Sequence, residues 1–196
     1  RAEPPGRAGG AIRVATVGEF SNSVRLVTGM RRRGQAKDWL FLSIIFKADP
    51  MDSIIRVTKE FSFAMAHALW NYDGPCRNIH GHSYKLYVTV FGNTLLDNTS
   101  TKLGMVMDFS ELKKIVKKYV IDYFDHSVVI SSKAGELELT NIREMFDKFY
   151  VVDYQPTCEN LVIHMADILK EKIPNEINLF SLRLCETATS YAEWFA

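Results

Sequence analysis

An α+β fold, with a four-stranded antiparallel sheet and two helices packed on one face, follows from three patterns in this 196-residue chain. Residues 54 to 67 and 80 to 91 alternate apolar and polar side chains as two long, half-buried strands do. Two later stretches, opened by Asp108 and Thr157, repeat apolar residues at helical spacing. Residues 180 to 187 and 191 to 195 then return to strand alternation. The order is β-β-α, an insertion, then α-β-β, and such runs of antiparallel strands bury their apolar face under the helices.

Each element has its own signal. His82, Tyr84, Leu86, Val88 and Val90 alternate with Ser83, Lys85, Tyr87 and Thr89 in the second strand. Asp108 is a helix N-cap with Glu111 three residues on, and Leu112, Ile115, Val116, Tyr119, Val120 and Tyr123 mark the inner face of that helix. Lys113, Lys114, Lys117 and Lys118 lie on the other side, as a solvated face rather than a phosphate site. Within the insertion, 127 to 153, a short strand at 128 to 130, a helical stretch around Ile142, Met145 and Phe146, and a strand at 149 to 152 are expected. Thr157 caps the second helix, whose Leu161, Met165, Ile168 and Leu169 face inward while His164, Asp167 and Glu171 face out. Phe180, Leu182, Leu184 and Glu186 share one face of the strand that follows.

Residues 1 to 50 read differently. Pro4-Pro5-Gly6, Gly9-Gly10 and Arg31-Arg32-Arg33 alternate with apolar patches of no sustained period, so no fold is assigned to this leader. It could be an Arg-rich transit segment, a disordered arm or, as the preferred expectation, sequence upstream of a start at Met51. Residues 51 to 196 are expected to form one domain.

Composition narrows the function. The net charge of +1 divides into nine Lys or Arg against four acidic residues up to position 50, and fifteen against nineteen after it. The basic excess therefore lies outside the folded part, which argues against nucleic-acid binding. Three cysteines, Cys76, Cys158 and Cys185, make neither a disulfide framework nor a Cys-x-x-Cys knuckle, so a reducing, cytoplasmic compartment is expected. The longest apolar run, 39 to 46, is too short to span a bilayer, so no membrane partner is expected.

The chemistry concentrates at 67 to 82, where three of the five histidines fall. His80 and His82, two apart in a strand, project from one face, and Gly81 between them would allow close approach from behind. His67 shares its face with Phe61, Phe63 and Met65 on the preceding strand. A lone histidine would read as a core or surface residue; three so placed read as ligands of a Zn2+ ion whose fourth position stays open for water or substrate. Cys76, four residues before His80, could be a fourth ligand, an inert thiol or a base; the base reading is preferred because it keeps that position open. From local chemistry alone, Asp125 ends a helix-to-strand turn, Thr157 and Glu159 belong to a helix cap, and Glu186 is a carboxylate on an apolar strand face that needs a partner.

Together with Phe61-Ser62-Phe63, Met107-Asp108-Phe109, Asp125-His126, Pro156-Thr157-Cys158-Glu159-Asn160 and Cys185-Glu186-Thr187, these residues resemble the 6-pyruvoyltetrahydropterin and 6-carboxytetrahydropterin synthase family from about residue 54 to 194. The resemblance implies the tunnelling fold and a homo-oligomer, a hexamer of two stacked trimers with sites at subunit boundaries. It also implies zinc on His67, His80 and His82, with Cys76, Asp125, His126 and Glu186 catalytic. Glu186, Thr157 and Glu159 would contact the pterin, Glu186 gripping its two-donor edge bidentately. The implied substrate is 7,8-dihydroneopterin triphosphate. The four-residue step from Cys76 to His80 resembles the 6-carboxytetrahydropterin synthases of queuosine and other deazapurine biosynthesis, which release triphosphate and acetaldehyde. Pyruvoyl-forming relatives usually space these residues more widely, and remain the alternative; a non-catalytic metal- or pterin-binding protein is the third. The roughly thirty residues from His126 to Pro156, longer than in the smallest members, and the leader have no counterpart in the resemblance.

Overall fold

The structure, a computed structural model, describes residues 53–196 and, before them, the strands β1 (Val24–Thr28) and β2 (Leu42–Phe46). These two form an antiparallel pair in a unit of their own, with Val24 opposite Phe46. The arginine run and Met51 lie outside the described residues.

From residue 53 onward the chain runs β3 (Ile55–Ala68), β4 (His80–Gly92), α1 (Phe109–Val116), a π-helical turn (Lys117–Ile121), α2 (Asp122–Phe124) and β5 (Ser127–Ser131). It continues through α3 (Glu136–Met145), β6 (Phe149–Val152), α4 (Cys158–Lys172), β7 (Asn178–Cys185) and β8 (Tyr191–Phe195). The sheet corrects the expected four antiparallel strands: it has six, in the order β6-β5-β3-β4-β7-β8. β3, β4, β7 and β8 are antiparallel neighbours, while β5 runs parallel to β3 and β6 parallel to β5. The insertion therefore widens the sheet. Periodicity announces a strand but not its neighbour, and the pairing here depends on crossovers through helices. All five residues of β5 are buried, as befits a strand covered on both faces.

α1, its π turn, α2 and α4 cover one face. Phe63, Met65, Leu86 and Val88 meet Leu112, Val116, Val120, Leu161, Met165 and Leu169 in the main core. α3 belongs to a second, smaller core, where its Leu139 and Ile142 pack with Ala66, Ala68, Val128 and Ile130. Ala66 and Ala68 alternate with Met65 and His67, so this cluster lies on the opposite face. Met145 and Phe146, read as part of the helical pattern, are exposed.

Three local departures have physical causes. Asp108 caps α1 by accepting from the Ser110 N–H at 2.7 Å, but Glu111 pairs with Lys102 instead of closing a capping box. The π turn inserts extra backbone into the helix and retards its phase, so that Leu112, Val116, Val120 and Phe124 all point inward. Phe124 is fully buried, whereas Tyr123, expected on the inner face, is 37% exposed and stacks on Tyr150 at 3.8 Å. On β7 a bulge opposite Thr89 and Val90 leaves Phe180 without a partner on β4, so Phe180 does not share the face of Leu182 and Leu184. It packs instead with Phe91, Phe195 and Arg56.

His164 is also corrected: rather than facing out it is half-buried on α4, against Phe124 at 6.0 Å and Tyr154 at 5.4 Å. Burial pushes its imidazole below the ordinary value of 6.5, against the pull of Asp167 and Asp153. Among the described residues no helix is long and apolar enough to cross a membrane.

Two outcomes follow from this packing. Phe124→Ala is expected to cost about 3–5 kcal/mol in urea unfolding, and Tyr123→Ala less than half of that. Because the folded-state pKa of His164 is depressed, the unfolded chain takes up its proton first as pH falls below 6.5, and stability is lost in that window. The urea midpoint should therefore drop between pH 7 and pH 5, and drop less in His164→Gln.

Candidate metal centre

The pairing of β3 with β4 builds the site. Its register sets His67 directly opposite His80 and Met65 opposite His82, so all three imidazoles rise from the helix-covered face. Their ring centroids lie 4.6, 4.9 and 5.3 Å apart, and one ligand nitrogen from each falls within 4.8 Å of the others. These three residues could hold a metal ion.

Hydrogen bonds decide which nitrogens are free. His67 Nδ1 lies 2.6 Å from the Pro156 carbonyl and His80 Nδ1 lies 2.8 Å from the Asn78 carbonyl. A carbonyl only accepts, so both Nδ1 atoms carry the proton and both Nε2 atoms present lone pairs. Yet those two Nε2 atoms are 3.2 Å apart, where two acceptors repel. His82 Nε2 is buried with no hydrogen-bond partner. Glu186 Oε1 adds negative charge 3.6 Å from His67 Nε2 and 3.9 Å from His82 Nε2. Electron-rich atoms converging in this way fit a cation at their centre, and imidazole donors suit a borderline ion such as zinc. Burial also pushes the His67 imidazole down, against the Pro156 carbonyl and Glu186, which keeps it in the neutral, ligating form.

Tyr84 extends the site. It follows His80 and His82 on the same face of β4, is buried, stacks on Phe63 at 5.2 Å, and donates to Glu186 Oε1 at 3.1 Å. Burial and the neighbouring Glu186 charge raise the Tyr84 hydroxyl far above its ordinary value, so it remains a donor. Glu186 itself follows the last residue of β7, where its N–H bonds the Ser190 carbonyl at 3.0 Å. The sequence alternation already placed Tyr84 beside the histidines; the Pro156 carbonyl, being backbone, carries no such signal.

The other expected residues divide into two groups. Cys76 lies in a 3₁₀ turn (Pro75–Arg77) between β3 and β4, half-buried and outside the cluster of ligand atoms. Gln155 ties this loop down, accepting from the Trp70 N–H at 3.0 Å and donating to its carbonyl at 2.8 Å. Thr157 caps α4, its hydroxyl accepting from the Asn160 N–H at 3.4 Å, one residue from the carbonyl that fixes His67. Glu159 is exposed on the first turn. Cys158 is a structural thiol, pushed up to about 12 by burial and bonded to the Leu184 carbonyl at 3.2 Å.

Asp125 and His126 lie elsewhere. His126 adopts a left-handed backbone, φ 58°, which supplies the bend these neighbours need to cooperate: its Nδ1 is 3.0 Å from Asp125 Oδ1. Asp125 Oδ1 also accepts from the Ala64 N–H at 2.9 Å. Burial pushes the Asp125 carboxyl up, but the Ala64 N–H and His126 outweigh it and hold it below the usual carboxylate range. His126 lines a cleft of about 420 Å3 along the β3–β4 pair, with Ala64, Ala66, Gly81 and Ser83 from one set of alternate positions and Met65 and His82 from the other. Within one chain the Asp125–His126 pair is bonded to the backbone of Ala64, whose position alternates with those of Met65 and His67, and it lies outside the cluster of ligand atoms formed by His67, His80 and His82. Gly81 is not needed for close approach, since a Cβ there would meet the Met65 carbonyl oxygen at an ordinary 3.5 Å.

Comparison with known proteins places this geometry in a family. The family model described as 6-pyruvoyl tetrahydropterin synthase matches residues 56–196. A 6-carboxy-5,6,7,8-tetrahydropterin synthase of Haemophilus influenzae is 38% identical over 144 residues, spanning 72% of this chain and 99% of the relative. One from Aquifex aeolicus is 32% identical, spanning 71% and 96%. Among solved structures, a 6-pyruvoyl tetrahydropterin synthase of Caenorhabditis elegans superposes with a TM-score of 0.54 at 28% identity, over 74% of this chain and 96% of that one. A protein from Wolinella succinogenes, 23% identical with a TM-score of 0.59 over 74% and 99% of the two chains, shares the fold. From residue 56 to its end, this chain belongs to the 6-pyruvoyl tetrahydropterin synthase family.

Proposed function

We propose that this protein is a zinc-dependent 6-carboxytetrahydropterin synthase, converting 7,8-dihydroneopterin triphosphate to 6-carboxy-5,6,7,8-tetrahydropterin with release of triphosphate and acetaldehyde. The observation that carries the reading is the convergence of the His67, His80 and His82 nitrogens beside Glu186, in a chain 38% identical to a protein of that name. The reaction belongs to queuosine and other deazapurine biosynthesis, and three free cysteines favour the cytoplasm as its setting.

Each residue then has a part. A divalent ion held by His67, His80 and His82 would polarise the hydroxyls of the substrate side chain and acidify the adjacent C–H. Glu186, oriented by Tyr84, accepts from the 2-amino group and ring N–H of the pterin, with Thr157 and Glu159 at the neighbouring helix start. Cys76, in the loop leading to His80, takes the proton as thiolate. Asp125 holds the His126 tautomer and stabilises its imidazolium, so the pair can pass a proton to or from the side-chain oxygens.

That last role draws on a second copy of the chain, since Asp125 and His126 of one subunit lie outside the ligand cluster of its own triad. A homohexamer of two stacked trimers, with each site shared across a boundary, meets this need and also covers the open sheet edges at β6 and β8.

The pyruvoyl-forming reaction is the second reading, favoured by the description of the matching family model. Products separate the two: acetaldehyde with a carboxypterin is expected when the zinc-loaded protein meets 7,8-dihydroneopterin triphosphate, and a pyruvoyl product would establish the alternative. Cys76→Ala should abolish turnover, by about 100-fold or more, while zinc content stays unchanged. Loss of zinc in that variant would make Cys76 a ligand.

A further inference from the structure

The segment between β5 and α4 has no role in the chemistry so far, yet one of its side chains reaches the Asp125–His126 pair. Lys148, just before β6, donates from Nζ to the Asp122 carbonyl at 2.8 Å and also to the Asp125 carbonyl. Its own carbonyl accepts from the Val128 N–H at 2.9 Å, which anchors Lys148 to β5. Among the described residues no carboxylate pairs with it. An ammonium at the end of a helix is well placed, since the last carbonyls there have no partners of their own.

The second bond has a more specific consequence. The Asp125 carbonyl belongs to the peptide unit joining Asp125 to His126, and the N–H of that same unit donates to the Ala64 carbonyl at 2.6 Å. Lys148 and Ala64 therefore grip one peptide plane from its two ends. The orientation of that plane sets the backbone of His126, which lies in the left-handed region that a residue with a Cβ enters only when its surroundings hold it there. The left-handed turn is in turn what brings His126 Nδ1 back to Asp125 Oδ1. Without Lys148, one end of the plane is released, and an extended His126 would point its ring away from the carboxylate.

We propose that Lys148 is a positioning residue, which fixes the peptide between Asp125 and His126 so that the two side chains meet as an acid/base pair. This rests on the reading that the pair acts in the reaction. The residue it assigns lies in the widened part of the sheet, which thereby contributes to the chemistry and not only to the fold.

The test uses the zinc-loaded full chain with 7,8-dihydroneopterin triphosphate. Lys148→Met is expected to lower kcat about 10- to 100-fold with KM within about twofold, the pattern of a misplaced proton-transfer group. Lys148→Arg, which keeps the charge and the donors, should recover most of that loss. Lys148→Gln, which keeps a donor without charge, is measured alongside in case the Met variant does not fold. A crystal structure of the Met variant, or of the Gln variant if Met does not fold, should show His126 out of the left-handed region and its contact with Asp125 lost, while Lys148→Arg keeps both. Wild-type kcat in Lys148→Met, or in Lys148→Gln where the Met variant does not fold, or an unchanged Asp125–His126 contact in the crystal of that variant, overturns the proposal. His126→Ala separates the two levels: if it turns over normally, the role of the pair itself fails. If it is inactive while Lys148→Met is not, only the positioning role fails.

Discussion

Everything at this site depends on the register of β3 against β4. Thirteen residue pairs from Ile55–Gly92 to His67–His80 fix which side chains face the helices, and the last of those pairs creates the histidine cluster. A slip of one residue would carry His80 and His82 to the opposite face and leave His67 alone in an apolar core. The core enforces the register. Phe63, Met65, Leu86, Val88 and Val90 can be buried under α1 and α4 only when the histidines are turned the same way. Burial of apolar side chains thus holds three nitrogen donors in a place where, by themselves, they are electrostatically unfavourable.

That conflict is the signature of the centre. Backbone carbonyls of Pro156 and Asn78 take the Nδ1 protons, which forces the lone pairs of His67 and His80 toward one another, and Glu186 adds a carboxylate to the same space. Tyr84 can satisfy one carboxylate oxygen, but His82 Nε2 has nothing to bond. Carbonyls that orient ligating imidazoles are common support for a metal site, and here they come from two separate segments, the start of α4 and the loop before β4. The same helix start carries Thr157, so binding of a pterin there would be mechanically continuous with the metal ligands.

What the sequence made legible follows from periods. The period of two exposed the histidine face, the period of 3.6 exposed α1 and α4, and the capping residues Asp108 and Thr157 marked where those helices begin. Features that add or remove one residue were not legible: the π turn that turns Phe124 rather than Tyr123 inward, and the bulge that turns Phe180 away from Leu182. Strand partners were hidden too, because β5 and β6 join the sheet in parallel through helices and no local pattern names a distant neighbour. His164 looks like a surface residue on a helical wheel, yet Tyr154, from the loop before α4, packs against it. The separation of Asp125 and His126 from the histidines within one chain was equally invisible, since a motif records which residues occur together in the sequence and not where the fold places each of them.

The central claim is that three imidazoles, and no thiolate, hold a metal ion at the end of the β3–β4 pair. X-ray absorption at the zinc edge of the zinc-loaded protein tests it most directly. Three imidazole nitrogens, with Zn–N distances of about 2.0–2.1 Å and no sulfur among the nearest neighbours, are expected. A sulfur neighbour at about 2.3 Å, or an ion whose surroundings do not change in His82→Ala, would contradict it.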